Sequence, residues 1–277
     1  MPPVILINGE AADSVPALDR GLQFGDGVFR TIAVSAGRPL NWVNQHARLA
    51  SDCNALGLAC PESELLAAEI ATVAPNAATV KIILTRGPAG RGYGIPAEAR
   101  ATRMVAAFDA PEYDAKLAVE GVRVRLCTLR LAVQPRLAGV KSLNRLENVL
   151  ARSEWRDRSI HEGLLCDSEG RAIEGTMSNI FVVHKGHLVT PRLDRCGVAG
   201  AQRDRVRQLA ASLDEECEEV DLGIEEIMKA DEVFLTNSLI RLWPVREIDG
   251  RAFKPGPVAR VIREAILAQE ARDVLVA

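Results

Sequence analysis

Apolar residues along this chain repeat every second position in some stretches and near every 3.6 in others, and the contrast lays out its elements. "PVILIN", from residue 3, reads as a buried strand, and "FRTIAVSAGRPL", from residue 29, as a hairpin turning at "SAG". "NQHARLASDCNALGL" and "PESELLAAEIATVA" carry helical periodicity, the second with proline at its start. "TVKIILTRG" and "TRMVAAFDA" read as strands on either side of the glycine-rich loop "GPAGRGYGIP". "PEYDAKLAVE" is polar and without a period, as a linker would be.

The later part opens on the strand "GVRVRLCTLRLA". In "SLNRLENVLARSEW" the residues Leu143, Leu146, Leu150 and Trp155 recur at near-helical spacing, which predicts an amphipathic helix beginning just after Lys141. "EGLLCDSEGRAIEG" and "NIFVVHKGHLVTP" read as hairpins, "GAQRDRVRQLAASL" as a glycine-led helix, "DEVFLTNS" as a strand and "PVARVIREAILAQEARDV" as a closing helix. Strands outnumber helices and many are joined by hairpins. A mixed α/β (α+β) protein of two domains is therefore expected, rather than one doubly wound parallel sheet. The expected boundaries are a smaller N-terminal domain over 1–113, a linker over 114–121 and a larger domain over 122–277 that carries Lys141. The cleft between two domains is the default place for a ligand.

Composition narrows the function. The 277 residues are 48% hydrophobic and 26% charged, with a net charge of −3, so no global field recruits nucleic acid or an anionic membrane. "MPPVILINGE" lacks the basic region of a signal peptide, and no run approaches the ~18 apolar residues of a membrane span. A cytoplasmic protein is expected. The six cysteines include no C-x-x-C pair and the four histidines do not cluster, so reduced thiols and no metal are expected.

Six lysines stand against 28 arginines. Only the lysines can give up a proton near neutral pH, which shortens the list of candidate amine nucleophiles. Lys141 lies between a strand and the predicted helix. A cation at a helix start is disfavoured by the macrodipole, which favours the neutral amine. Glu174 ends the strand "RAIEG" among small and apolar residues, and needs a partner if buried. Three features suit an anion: the N–H groups of Ala201 and Gln202 at the start of a helix, the hydroxyl-bearing "TNS" with Ser238, and Arg48 on "NQHARLAS". No nucleotide-binding glycine motif is present.

The order of these pieces resembles that of the fold-type IV pyridoxal-phosphate enzymes, the group of branched-chain and D-amino-acid aminotransferases and aminodeoxychorismate lyases. The resemblance runs from "INGE" through "DRGLQFGDGVFRT", "HARL", "TRGPAGRGY", "VKSLNRLENVLAR", "DSEGRAIEGTMSNIF" and "TPRLDRCGVAGAQR" to "EVFLTNSLIRLWPV". It implies that Lys141 holds pyridoxal 5′-phosphate as a Schiff base and that Glu174 keeps the pyridine nitrogen protonated. Arg48, the backbone at Ala201 and Gln202, and Ser238 would hold the phosphate.

Within that group, "FGDGVFRT" and "VKSLNRLENVLAR" look most like the lyases. Arg30-Thr31 replaces the Glu-Gly pair typical of branched-chain aminotransferases, and Leu146 stands where they carry a tyrosine. "GRGY" also resembles the lyase loop, although Gly94 replaces a common serine. The implied reaction converts 4-amino-4-deoxychorismate to 4-aminobenzoate and pyruvate, a step toward folate. Thr31 would orient the ring or relay a proton, and Arg91, Tyr93 or Arg30 would meet the substrate carboxylates. An aminotransferase would share the cofactor residues and remains the alternative. The resemblance also implies a homodimer.

Overall fold

The computed structural model describes residues 4–213 and 216–275. The chain divides into two units. The first holds the residues up to Pro111, Val140–Asn144 and those from Asp273 on; the second holds Glu112–Gly139 and Arg145–Arg272.

In the first unit the elements are β1 (Ile5–Ile7), β2 (Glu10–Ala11), α1 (Arg20–Phe24), β3 (Gly27–Ser35), β4 (Arg38–Pro39), α2 (Trp42–Leu56), α3 (Ser63–Val73), β5 (Ala78–Thr85) and β6 (Thr102–Phe108). The first residue of "PVILIN" lies outside the described residues; its Ile5–Ile7 form β1. The six strands make one sheet, ordered β2-β1-β6-β5-β3-β4, with every neighbour antiparallel. The predicted hairpin turns at Ala36 and Gly37, both at positive φ, as a tight two-residue turn demands.

Strand β3 shows why the alternation matters. Val28, Ile32 and Val34 are buried against Leu49 and Cys53 of α2 and Leu66 and Ile70 of α3. Phe29, Thr31 and Ala33 stand on the opposite, half-exposed face. At ~25 cal/mol per Å² of apolar surface removed from water, this one-sided burial fixes the register of the sheet.

The second unit contains α4 (Leu117–Glu120), β7 (Val122–Leu131), α5 (Leu146–Arg152), β8 (Glu162–Asp167), β9 (Arg171–Gly175), β10 (Asn179–His184), β11 (His187–Pro191), α6 (Ala201–Ser212), β12 (Cys217–Val220), β13 (Leu222–Gly223), α7 (Ile224–Met228), β14 (Glu232–Asn237), β15 (Arg241–Ile248), β16 (Arg251–Ala252) and all but the last residues of α8 (Pro257–Leu275). Its sheet runs β12-β11-β10-β14-β15-β7-β8-β9-β13, with β16 on β15. The β11/β12, β7/β15 and β7/β8 pairs are parallel, and the rest are antiparallel. Phe181 and Phe234 stack at 5.1 Å in the core beneath α6 and α8.

Three expectations are corrected. The segment with Lys141 belongs to the first unit, not to the larger second one, because Val140 is buried in the core of α2 and α3. The stretch expected as a linker carries α4, whose Leu117 and Ala118 pack on the second unit's core. The helix expected directly after Lys141 begins only at Leu146, so Lys141 lies outside its first turn and the macrodipole argument does not apply. Of the apolar positions predicted for that helix, Leu146 is 68% exposed and Leu150 is exposed too, while Trp155 beyond its end is buried.

Candidate active site

Lys141 is placed by strand-like contacts. The Phe29 N–H donates to the Lys141 carbonyl at 3.0 Å, and the Leu143 N–H donates to the Gly27 carbonyl at 2.9 Å. Gly27 permits this approach, since a Cβ there would meet Leu143 at 2.9 Å and the Leu84 carbonyl at 2.4 Å. Val140 and Ser142 are buried, and between them Lys141 turns to the other side. Its Nζ lies 4.7 Å from the centroid of the Phe29 ring. Lys81 Nζ lies 4.9 Å from that same centroid, and Lys81 is the cross-strand partner of Thr31. Phe29, Thr31, Lys81 and Lys141 therefore furnish one patch of the first unit: two amines, a hydroxyl and an aromatic face that attracts cations.

The buried face of β3 carries a charge. Arg30 pairs with Asp52 of α2, both almost fully buried. Burial raises the Asp52 carboxyl above its ordinary value, against the pull of Arg30, the Lys141 N–H and Arg48. Asp52 thus ties together the backbone of Lys141 and the helix that carries Arg48. Arg30, expected as a grip for a substrate carboxylate, is instead a buried cation committed to Asp52; the period-2 alternation turns it away from Thr31.

Arg91 and Tyr93 stand on an exposed loop, Tyr93 at 85% exposure with its ring 5.3 Å from that of Phe24. Arg20 holds this loop by donating to the carbonyls of Gly92, Tyr93 and Gly94. Asp26 in turn accepts from both Arg20 and Arg86. Burial raises the Asp26 carboxyl, but the two guanidinium groups outweigh it and hold the group below the ordinary carboxylate value.

In the second unit, Glu174 is buried at the end of β9, and its Oε2 accepts the Val198 N–H at 2.8 Å. Asn179 fixes the chain just beyond, donating to the Val198 carbonyl at 2.8 Å and accepting from the Gly200 N–H at 3.2 Å. A Cβ at Gly200 would lie 2.3 Å from Asn179 Oδ1, so only glycine fits between Asn179 and α6. The N-cap residue of α6 is Gly200, which has no side chain to cap the helix, and the first residues of α6 are Ala201 and Gln202. Gln202 Nε2 is buried without a hydrogen-bond partner among the described residues. Ser238 sits in the turn after β14, where Asn237 Oδ1 accepts from the Leu239 and Ile240 N–H groups.

These residues fit a phosphate-bearing aldehyde. The first unit supplies an amine; in the second unit a buried carboxylate suits a protonated ring nitrogen, and the glycine-led start of α6 with the buried Gln202 amide suits a phosphate.

Four contributors escape the sequence reading. Lys81 is one of six lysines, and its place in the strand "TVKIILTRG" gives a local signal, the alternation that turns it to the face of Thr31. Asp52 and Asn179 act through backbone contacts across the chain, which spacing does not reveal. Glu162 is wholly buried and accepts from the N–H groups of Gly163, Thr176 and Met177 and from the hydroxyls of Thr176 and Ser178. It fixes the turn that follows Glu174.

Known proteins resemble this chain throughout its length. The family model described as Amino-transferase class IV matches residues 27–248. An aminodeoxychorismate lyase of Vibrio harveyi is 32% identical over 87% of this chain and 90% of its own. The structure of a 4-amino-4-deoxychorismate lyase from Pseudomonas aeruginosa superposes with a TM-score of 0.92 at 39% identity, covering 95% of this chain and 98% of its own. A branched-chain amino acid aminotransferase from Escherichia coli matches with a TM-score of 0.83 at 25% identity, over 96% of this chain and 93% of its own. Among the described residues no helix is long and apolar enough to cross a membrane.

Proposed function

The chain belongs to the Amino-transferase class IV family, whose cofactor is pyridoxal 5′-phosphate, and from that premise we propose that it cleaves 4-amino-4-deoxychorismate to 4-aminobenzoate and pyruvate. The observation that carries this reading is the patch on which Lys141 and Lys81 flank Phe29 beside Thr31. It offers a second fixed cation and a hydroxyl where a small amino-acid side chain needs neither. A ring substrate with two carboxylates and a departing enolpyruvyl oxygen uses both.

When bound, pyridoxal phosphate supplies an aldehyde for the substrate amine and a ring that draws electrons from the amine-bearing carbon. The protein's own groups do the rest. Lys141 Nζ takes the proton from that carbon. The Glu174 carboxylate holds a proton at the ring nitrogen, and the Val198 N–H keeps that carboxylate oriented. Arg48, the N–H groups of Ala201 and Gln202, and the Ser238 hydroxyl bind the phosphate. Thr31 Oγ1 passes a proton to the leaving enolpyruvyl oxygen. Lys81 pairs with a substrate carboxylate, in place of the buried Arg30. Arg91 and Tyr93 close over the substrate from their loop.

Leu146, Val149 and Leu150 present an exposed apolar face on α5, at 68%, 62% and 50% exposure. A second copy of this chain covers that face in the working enzyme, as a homodimer.

The test is direct. Purified protein with pyridoxal phosphate forms 4-aminobenzoate from 4-amino-4-deoxychorismate, and Lys141→Ala loses both that activity and the visible absorbance of the bound cofactor. Rapid exchange between an amino acid and a keto acid, with no 4-aminobenzoate formed, would establish the aminotransferase reading instead.

A further inference from the structure

Helix α2 ends at Leu56, and Gly57 at φ 63° turns the chain back along it. The turn returns Cys60 to Cys53, which is wholly buried in the last turn of the helix. Cys60 packs against the core cluster that holds Cys53, and the two thiols influence one another's ionisation. Cys60 Sγ, only half-buried, lies 3.9 Å from His46 Nε2. That same Nε2 lies 3.0 Å from the Pro61 carbonyl. A carbonyl can only accept, so Nε2 carries the hydrogen; the Cys60 thiol donates to the same carbonyl at 3.5 Å, which sets sulfur and imidazole side by side. Trp42 packs on the imidazole with ring centroids 5.6 Å apart.

This environment sets Cys60 apart. The neighbouring Cys53 thiol, and after it His46, bring the Cys60 thiol down to about 7 against burial, while the Cys53 thiol is pushed up by the same contact and by burial. Burial pushes Cys127 and Cys196 up to about 12 and Cys217 up to about 11. The nucleophilic form is the thiolate, so reactivity concentrates at Cys60.

We propose that Cys53 and Cys60 form an oxidisable dithiol, with Cys60 the sulfur that meets a peroxide and Cys53 the thiol that closes a disulfide. In the first step the Cys60 thiolate attacks one peroxide oxygen, the O–O bond breaks, and the other oxygen leaves as hydroxide and becomes water, leaving a sulfenic acid. In the second the Cys53 sulfur attacks the sulfenic sulfur, the S–O bond breaks, and the departing hydroxide takes up the Cys53 proton and leaves as water. Two thiols and one hydrogen peroxide give one disulfide and two waters.

The sequence makes the test convenient, because no lysine or arginine lies between Arg48 and Lys81 and both thiols fall on one tryptic peptide. The holoenzyme is treated with hydrogen peroxide, alkylated with iodoacetamide under denaturing conditions and digested. The expected product is that peptide, lighter by two hydrogens and unalkylated, formed before Cys127, Cys166, Cys196 or Cys217 reacts and reversed by dithiothreitol. In Cys53→Ser, Cys60 accumulates as a sulfenic acid trapped by dimedone; in Cys60→Ser, Cys53 stays a free thiol. In His46→Gln, iodoacetamide labels Cys60 several-fold more slowly at neutral pH. Should a variant fail to fold, the wild-type labelling rate against pH still decides: it must show a Cys60 thiol titrating below the ordinary thiol value. Cys60 that labels no faster than the buried thiols, or joins Cys60 of another molecule, overturns the proposal.

Discussion

The Asp52 carboxylate accepts the backbone N–H of Lys141 while its other contacts go to Arg30, so one buried acid joins helix α2, strand β3 and the lysine segment. Asp52→Asn keeps an acceptor for the Lys141 N–H but leaves Arg30 as a buried charge without its counter-ion. Removing one member of such a pair costs about 3–5 kcal/mol. Urea unfolding should show a loss of that order. If the tie also positions Lys141, the folded fraction of Asp52→Asn takes up pyridoxal phosphate more weakly, read from visible absorbance on titration. A variant as stable as the parent would mean that the pair contributes little to the fold.

Asp26 gives the fold a dependence on acid. Arg20 and Arg86 hold its carboxyl below the ordinary value, so the folded protein binds this proton more weakly than the unfolded chain does. The stabilisation is then fully present above the unfolded value near 3.8 and is lost as pH falls through the depressed folded value. Asp26→Asn should lower the melting temperature at pH 7, and the gap to the parent should narrow at pH 3. A gap that stays constant over this range would show that the two arginines do not select the ionised form.

Much of the fold can be read from local pattern because local physics decides it. Ala36-Gly37 and Lys185-Gly186 both occupy left-handed backbone at two-residue turns, and each is marked by a glycine between alternating apolar runs. Glu174 and the helix start at Ala201 stand out through their order along the chain. Val140–Asn144 reads as part of the larger domain because its pairing with β3, far earlier in the chain, leaves no local trace. Leu146 and Leu150 read as the apolar face of an amphipathic helix, because helical spacing reports such a face and not what covers it. Arg30 reads as a free cation because the acid that pairs with it sits on another element.

Glu162 supports the turn after Glu174. Burial pushes its carboxyl up, yet every donor around it, three N–H groups and two hydroxyls, needs an acceptor. Glu162→Gln places an amide NH₂ where one oxygen accepted, so at least one donor faces another donor. A buried group left unsatisfied costs about 1–3 kcal/mol, which thermal denaturation should detect. Glu162→Asp retains both oxygens on a shorter stem and should lie between the two. A Gln variant with unchanged melting temperature would show that the turn finds other acceptors.

Lys81 and Thr31 are opposite one another on adjacent strands, and their proposed roles separate kinetically. A cation that pairs with a substrate carboxylate in ground state and transition state alike lowers KM. Its removal in Lys81→Ala should therefore raise KM for 4-amino-4-deoxychorismate about tenfold or more with kcat nearly kept, since a hydrogen bond to a charged group contributes roughly 1.5–3 kcal/mol. Lys81→Arg keeps the charge and should recover part of that loss. A hydroxyl that relays a proton acts only as the oxygen leaves, so Thr31→Val should lower kcat with KM little changed, and Thr31→Ser should restore it. Steady-state rates of 4-aminobenzoate formation separate these cases. If Lys81→Ala lowers kcat alone, or if Thr31→Ser is no better than Thr31→Val, then the patch around Phe29 holds the lysines for packing and the substrate carboxylates are met elsewhere.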